Sequence, residues 1–344
     1  MPIAAAVIGC GKLGRLHAHG YKAAGATLAL VADSNPDVAR SVATEFGCRW
    51  TADYRDVLED QSIGAVSVCV PTDLHFPVLV AALERHKNIL CEKPLTSTLE
   101  DARLLLDKAD RTPVIAQVGF MKRFDPAIRV AHEALDEIGS LQCGVFRSYL
   151  PFTDAGWEQA KKRWILDKTQ SGGGALIHSG SHALDTLLWF CGPVVAVDGH
   201  LRHRDDLPDI EYLAQAMLWT ASGAAVVLDV GWLELTGIGH RRDGWDEVFS
   251  VTGDKGVVTV RTCWWNQCDV APTVVEVYTE ANRTNRVMTF GPPDNFNREV
   301  AGFLQAIETG GQPEVTLRDG YHAQVLIDAI YRSNKMGARV RVSP

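Results

Sequence analysis

The sequence predicts an α/β doubly wound parallel sheet of the Rossmann type, followed by an α+β domain on a large, mainly antiparallel open sheet. Three observations predict it. The chain opens on a strand, a glycine turn, a helix, a second strand and an acid. Short apolar runs then alternate with amphipathic stretches up to about residue 120. Beyond residue 190, strand-like runs follow one another across short turns.

The first strand is the apolar run 3–8, which leads straight into Gly9-Cys10-Gly11-Lys12-Leu13-Gly14. Asp33 closes the next apolar run, 27–32. This is a dinucleotide-binding fingerprint in its expected context. Gly9 permits the tight turn, Gly11 lets the backbone approach a pyrophosphate, and Gly14 lets helix and strand pack closely. The helix start at Lys12 and Leu13 offers N–H groups and a positive dipole end to phosphates. Asp33, with Ser34 beside it, is expected to accept hydrogen bonds from the adenosine ribose hydroxyls. Its carboxylate repels a 2′-phosphate, and Ser34, Asn35 and Pro36 bring no cation, so NAD is favoured over NADP. Arg40 lies further along and is the residue that could swing back.

Three more strands are expected at 65–70, 88–91 and 114–117. Helical patterns lie between the strands, such as Val38, Val42 and Phe46 at every fourth residue. Ligands bind such sheets at the carboxyl ends of the strands. That rule singles out 9–14, Asp33, 71–73, 92–94 and 119–120. After residue 125 a helix is expected over 126–138, a strand over 141–150 and a long helix over 175–190. Strands follow at 194–201, 212–219, 224–232, 247–252, 257–260 and 273–278, then helices at 296–307 and 318–331. The expected division is 1–122 for the dinucleotide domain and 123–344 for a substrate-binding and oligomerisation domain.

At 344 residues the chain is too long for one comfortable core. Its net charge of −8 argues against nucleic acid and against an anionic membrane surface as partners. The eight cysteines form no CxxC pair and read as small buried hydrophobes of a reducing compartment. With no basic leader and no spanning apolar run, the expected location is the cytoplasm.

Two segments carry candidate chemistry. Glu92-Lys93-Pro94 ends a strand, where the Lys93 ammonium could hold a substrate oxygen and stabilise alkoxide character. Read alone, such a dipeptide is usually a solvated surface pair. The second segment begins at Gly172-Gly173-Gly174, and His178 and His182 follow one helical turn apart, with Asp185 beyond. An imidazole there suits a general base. Core histidines or a metal pair are the competing readings, and the missing HExxH-like acid speaks against metal.

Together these segments resemble the Gfo/Idh/MocA oxidoreductase family, which includes glucose–fructose oxidoreductase and inositol dehydrogenase. Further landmarks are Pro71-Thr72-Asp73-Leu74-His75 and the run from Val118 through Met121-Lys122-Arg123 to Pro126. The resemblance implies that Lys93 binds the reacting oxygen and touches the nicotinamide side, while His182 is the base in oxidation. It implies that Pro71, Thr72 and His75 line the dinucleotide and that Met121 and Arg123 border the substrate; Glu92, read from its place beside Lys93, could pair with that lysine or contact the nicotinamide side. Sugars, cyclitols or their derivatives are the implied substrates, and association through the C-terminal sheet as a dimer or tetramer is implied. Two departures stand out. His178 occupies a position where many members carry Asp, so His182 is expected to be less basic here, and His178 is expected to contact a substrate hydroxyl or serve as a relay. Ile165 stands two residues before Asp167, where members often carry Arg, leaving Arg163 as the substitute. Trp157, Trp164, Trp232 and Trp245 are candidates for stacking on sugar C–H faces, with packing the commoner fate. An NAD-dependent glycosidase and a non-catalytic dinucleotide sensor are the rival functions.

Overall fold

The structure, a computed structural model, describes residues 3–239, 241–262, 272–292 and 294–342. Two compact units emerge. One comprises residues 1–124 and 294–321, the other 125–293 and 322–344.

The first unit is built on six strands: β1 (Ala4–Ile8), β2 (Thr27–Ala32), β3 (Arg49–Thr51), β4 (Ala65–Val68), β5 (Asn88–Glu92) and β6 (Ala116–Gly119). All pair in parallel, in the order β3-β2-β1-β4-β5-β6. Order reverses between β2-β1 and β4, which places a ligand crevice at the carboxyl ends of β1 and β4. Three helices start on side-chain caps: Asn35 for Pro36–Phe46, Asp53 for Tyr54–Glu59 and Thr98 for Leu99–Ala109. Residues 294–321 pack within this unit. Val300, Phe303 and Leu304 of helix Asn295–Thr309 are buried in one cluster with Ala18 and Tyr21 of helix Lys12–Ala23. Gly20 makes this approach feasible, since a Cβ there would lie 2.7 Å from Val300 Cγ2.

The second unit carries a nine-stranded sheet. Its members are β7 (Leu141–Pro151), β8 (Val194–Arg204), β9 (Leu207–Thr220), β10 (Ala225–Leu233), β11 (Asp246–Gly253), β12 (Gly256–Arg261), β13 (Thr273–Thr279), β14 (Thr284–Phe290) and β15 (Val340–Arg341). Their order is β14-β13-β12-β11-β7-β10-β9-β8-β15; β10 and β7 pair in parallel and the other neighbours are antiparallel. β11, β12 and β13 alternate buried and half-buried residues, so one face lines the core. That core includes Phe146, Leu228 and Phe249 from the strands and Ile128, Leu184 and Leu187 from helices Pro126–Glu133 and Ser181–Cys191.

Three expectations need correction. The long helix over 175–190 is divided: Leu176–Gly180 is a π turn and the α-helix starts at Ser181. The helix over 126–138 ends at Glu133 and tightens into a 3₁₀ turn over Ala134–Glu137. β14 escapes a period-two reading because most of it is exposed and polar, as befits an edge strand. The cysteines divide as well. Cys10, Cys91 and Cys191 are buried and Cys143 is exposed; Cys263 and Cys268 lie outside the described residues. Burial pushes the Cys10 and Cys191 thiols up to about 12, leaving them inert at neutral pH. Among the described residues no helix is long and apolar enough to cross a membrane.

Candidate active site

In the first unit the glycine turn after β1 shows which glycines the protein itself requires. Gly9 has φ +94°, and a Cβ there would lie 2.4 Å from Cys69 O; a Cβ on Gly14 would lie 1.9 Å from Gly9 O. Gly11 is different, for a Cβ there would meet nothing within 4 Å. Its open side faces outward at the start of helix Lys12–Ala23, whose N-cap, Gly11, supplies no side-chain cap. Asp33 is tied to the same turn: Cys10 N–H donates to Oδ2 and Asn35 N–H to Oδ1, both at 2.9 Å. Each carboxylate oxygen keeps a second lone pair for a ribose hydroxyl. Beyond β4, Thr72 is buried and its Oγ1 has no partner among the described residues. A backbone cradle, a placed carboxylate and a waiting hydroxyl all fit a dinucleotide.

β5 delivers Glu92 and Lys93 to the same edge. Glu92 is 4% exposed and its carboxylate is spoken for: Lys93 N–H donates to Oε2 at 3.1 Å, and His17 Nε2 lies 3.2 Å from Oε1. A carboxylate only accepts, so His17 Nε2 carries the proton. In a neutral ring Nδ1 then accepts from Ser67 Oγ at 3.0 Å, and Ser67 accepts from Tyr21 Oη at 2.9 Å. Burial alone would raise the Glu92 carboxyl; the hydrogen bonds from His17 and from Lys93 N–H, with the Lys93 charge, hold it below its ordinary value of 4.5. The half-buried Lys93 ammonium is lowered by burial, and Lys122 adds to this while Glu92 opposes it.

The depressed Glu92 value fixes a pH dependence. A carboxyl whose folded pKa lies below its unfolded one contributes stability that is present above the unfolded value and lost as pH falls through the folded one. In denaturant titrations the stability difference between wild type and Glu92→Gln is therefore expected to be larger at pH 6 than at pH 3. A difference that is flat or grows toward acid contradicts the network.

His75 holds the neighbouring loops. Its Nδ1 lies 2.8 Å from Pro94 O and its Nε2 3.0 Å from Val70 O, so one ring joins the turn after β4 to the turn after β5. Burial lowers its proton affinity, against the pull of those two carbonyls. Met121 is buried, its Sδ 3.5 Å from Asn295 Nδ2, and Arg123 pairs with Asp319 at 3.0 Å.

In the second unit His178 sits in the π turn and His182 in the first turn of the following helix. π turns are rare and frequent at functional sites. His178 is buried, stacked at 6.1 Å on Trp232, with Trp164 edge-on at 5.4 Å. His182 is half-buried and Asp185 fully buried. Trp232 Nε1–H donates to Ser179 Oγ at 2.9 Å. Trp157 packs on Phe152 and Trp232, under the Arg204 guanidinium at 4.8 Å. Among the described residues no group of three or more His, Cys, Asp or Glu is arranged to hold a metal ion.

Two family models cover these units. An oxidoreductase-family NAD-binding Rossmann fold matches residues 3–120, and the C-terminal α/β domain of the same family matches 134–342. The chain belongs to the Gfo/Idh/MocA oxidoreductase family. The scyllo-inositol 2-dehydrogenase (NAD(+)) of Bacillus subtilis (strain 168) is 36% identical over 203 residues, covering 57% of this chain and 56% of that protein. Inositol 2-dehydrogenase of Rhizobium meliloti (strain 1021) is 28% identical with 97% of each chain covered. A levoglucosan dehydrogenase in complex with NADH and levoglucosan superposes with a TM-score of 0.89 over 100% of both chains at 23% identity, a likeness of fold.

Several of the expected site residues also engage protein groups. His75 and Glu92, expected to line the dinucleotide, have their polar side-chain atoms on protein groups, because burial demands partners. Arg123, expected at the substrate, is buried against Asp319. Burial alone would raise the Asp319 carboxyl, but Arg123 and Thr316 hold it below its ordinary value. Arg163 is exposed ahead of the 3₁₀ turn Trp164–Leu166. Trp157, Trp232 and Trp245 are buried packing residues, leaving Trp164 half-exposed. Pro71 is half-buried, and Lys12 and Ser34 are exposed beside the glycine turn. His17 was missed, although it stands on the Gly14, His17, Ala18, Tyr21 face that the helix buries.

Proposed function

We propose that this protein is an NAD-dependent dehydrogenase that oxidises a ring hydroxyl of a sugar or cyclitol. What supports this is the half-buried Lys93 at the carboxyl end of β5, on the same edge of the sheet as the glycine turn, in a chain whose relatives are named inositol dehydrogenases. Bound NAD would supply the hydride acceptor. The protein supplies orientation and charge. Lys93 donates a hydrogen bond to the reacting oxygen and stabilises its negative character. His182 removes the hydroxyl proton in oxidation and returns it in reduction. His178 contacts a neighbouring hydroxyl or passes the proton on. Gly9–Gly14, Asp33, Pro71 and Thr72 hold the dinucleotide.

The preference for NAD over NADP is supported by Asp33 and by Arg40, which is engaged with Asp37 at 3.3 Å and with the Trp50 ring at 5.0 Å. A dimer or tetramer through the second sheet is supported by a cross-strand apolar row. Val145, Val227 and Met217 stand side by side on the face opposite the helices, with Val145 41% exposed. A cytoplasmic location fits the six described cysteines, all unpaired.

A panel of inositols, hexoses, pentoses and anhydrosugars, read by NADH formation, tests the proposal. Stoichiometric NADH from at least one cyclitol or sugar is expected, with NADP turned over more slowly. Hydrolysis of a glycoside without net NADH, or dinucleotide binding with no turnover of any polyol, contradicts it.

A further inference from the structure

The helical segment that carries His178 and His182 has an unusual start. Neither the π turn Leu176–Gly180 nor the α-helix from Ser181 has a side-chain cap of its own. Amides at the start of the segment turn instead to a strand. Gly174 N–H and Leu176 N–H donate to Glu211 Oε1 at 2.9 and 3.0 Å, and Tyr331 Oη–H donates to the same oxygen at 2.9 Å. Glu211 is 1% exposed. A Cβ on Gly173 would lie 2.1 Å from Tyr331 Oη, and one on Gly174 would lie 2.0 Å from Glu211 O. The glycine run is thus what lets the segment press against both anchors.

A buried carboxylate is costly, and an apolar side chain of similar volume usually packs there at lower cost. An apolar residue could not hold two helix-start amides. A π turn holds one residue more than an α turn and is rarely adopted without local support. Relaxation to the α register would rotate everything before it by one residue, about 100° around the axis. His178 would then leave its place relative to His182.

We infer that Glu211 and Tyr331 are positioning residues, which lock the π turn and so set the ring orientations of His178 and His182. The inference rests on the acid–base role proposed above for His182. Its test uses the full chain labelled with ¹⁵N at histidine. In Glu211→Ala the ring signals of His178 and His182 shift or broaden, kcat falls about 10²-fold, and the Kd for NADH stays within about twofold. In Glu211→Gln, which keeps an acceptor for both amides, ring signals and kcat return to within about fivefold of wild type. Tyr331→Phe removes one donor and lowers kcat about fivefold with a smaller ring shift. A folded Glu211→Ala protein with unmoved ring signals, or with kcat within twofold of wild type, overturns the inference. If Glu211→Ala does not fold, Tyr331→Phe decides, and unmoved rings with unchanged kcat overturn it. Full turnover in His182→Ala would defeat the acid–base reading separately, because the ring signals report position whether or not turnover depends on it.

Discussion

Lys93→Ala lowers kcat about 10³-fold, roughly 4 kcal/mol of transition-state stabilisation, while the Kd for NADH stays within about threefold of wild type. The two effects separate because the residues serve different parts of the ligands. In the proposed reading the dinucleotide is held by the glycine turn, the helix start and Asp33, and the two Asp33 hydrogen bonds to its own loop are expected to remain in the variant. In the proposed site the Lys93 ammonium acts at the reacting oxygen and not on the dinucleotide phosphates or ribose. Lys93→Arg is not expected to restore activity, since a planar guanidinium cannot place a point charge in the same space. The pH profile gives a second reading of the same group. Lys93 must be protonated to donate, and burial with Lys122 lowers its pKa below the ordinary 10.5. The alkaline limb of kcat/KM is therefore expected to begin below that value, and Glu92→Gln, which removes the opposing charge, moves the limb further down. A limb that stays put in Glu92→Gln contradicts this assignment.

His182→Ala loses about 10²- to 10⁴-fold in kcat, the usual worth of a placed general base, and the loss is partly relieved at high pH, where hydroxide can take the proton. In the proposed site the residue at 178 is expected to tune this base. An aspartate placed there raises the proton affinity of a nearby imidazole, and a neutral imidazole does not. Oxidation needs the unprotonated base, so His178→Asp moves the acid limb of kcat/KM to higher pH. Titration of the His182 ring by NMR in wild type and His178→Asp checks the cause directly; equal pKa values contradict it. The packing of His178 between Trp232 and Trp164 leaves its ring little freedom, which makes the exchange a test of charge more than of mobility.

Much of the first unit was legible because local pattern and tertiary environment agree there. Residues 28–32 of the strand Thr27–Ala32 are an unbroken apolar run between Thr27 and Asp33, and they are largely buried in a parallel sheet. The glycine turn was legible because each glycine answers a different steric demand. What stayed hidden depends on contacts between distant parts of the chain. Helix Asn295–Thr309 joins the first unit through Val300 and Phe303, and nothing in its own periodicity says which apolar surface it will cover. The π turn reads as helix because its composition suits either register; what sets it apart is Glu211, more than thirty residues later on β9. Glu92 looked like half of a solvated pair, since the sequence around it does not show that His17 waits beneath it. An acid beside apolar Ile210 in a strand, and a histidine on the buried face of a helix, are the signals that could have been pursued.

Lys93 and His182 are assigned to one reacting oxygen. The kinetics of the double variant Lys93→Ala/His182→Ala, set beside the two single variants, tests that claim most directly. Groups that act on one transition state as a unit are strongly non-additive, so the double variant is expected to lose little more than the worse single one. A loss equal to the product of the two single losses would mean that the two groups act independently, and their assignment to one reacting oxygen as a unit would be contradicted.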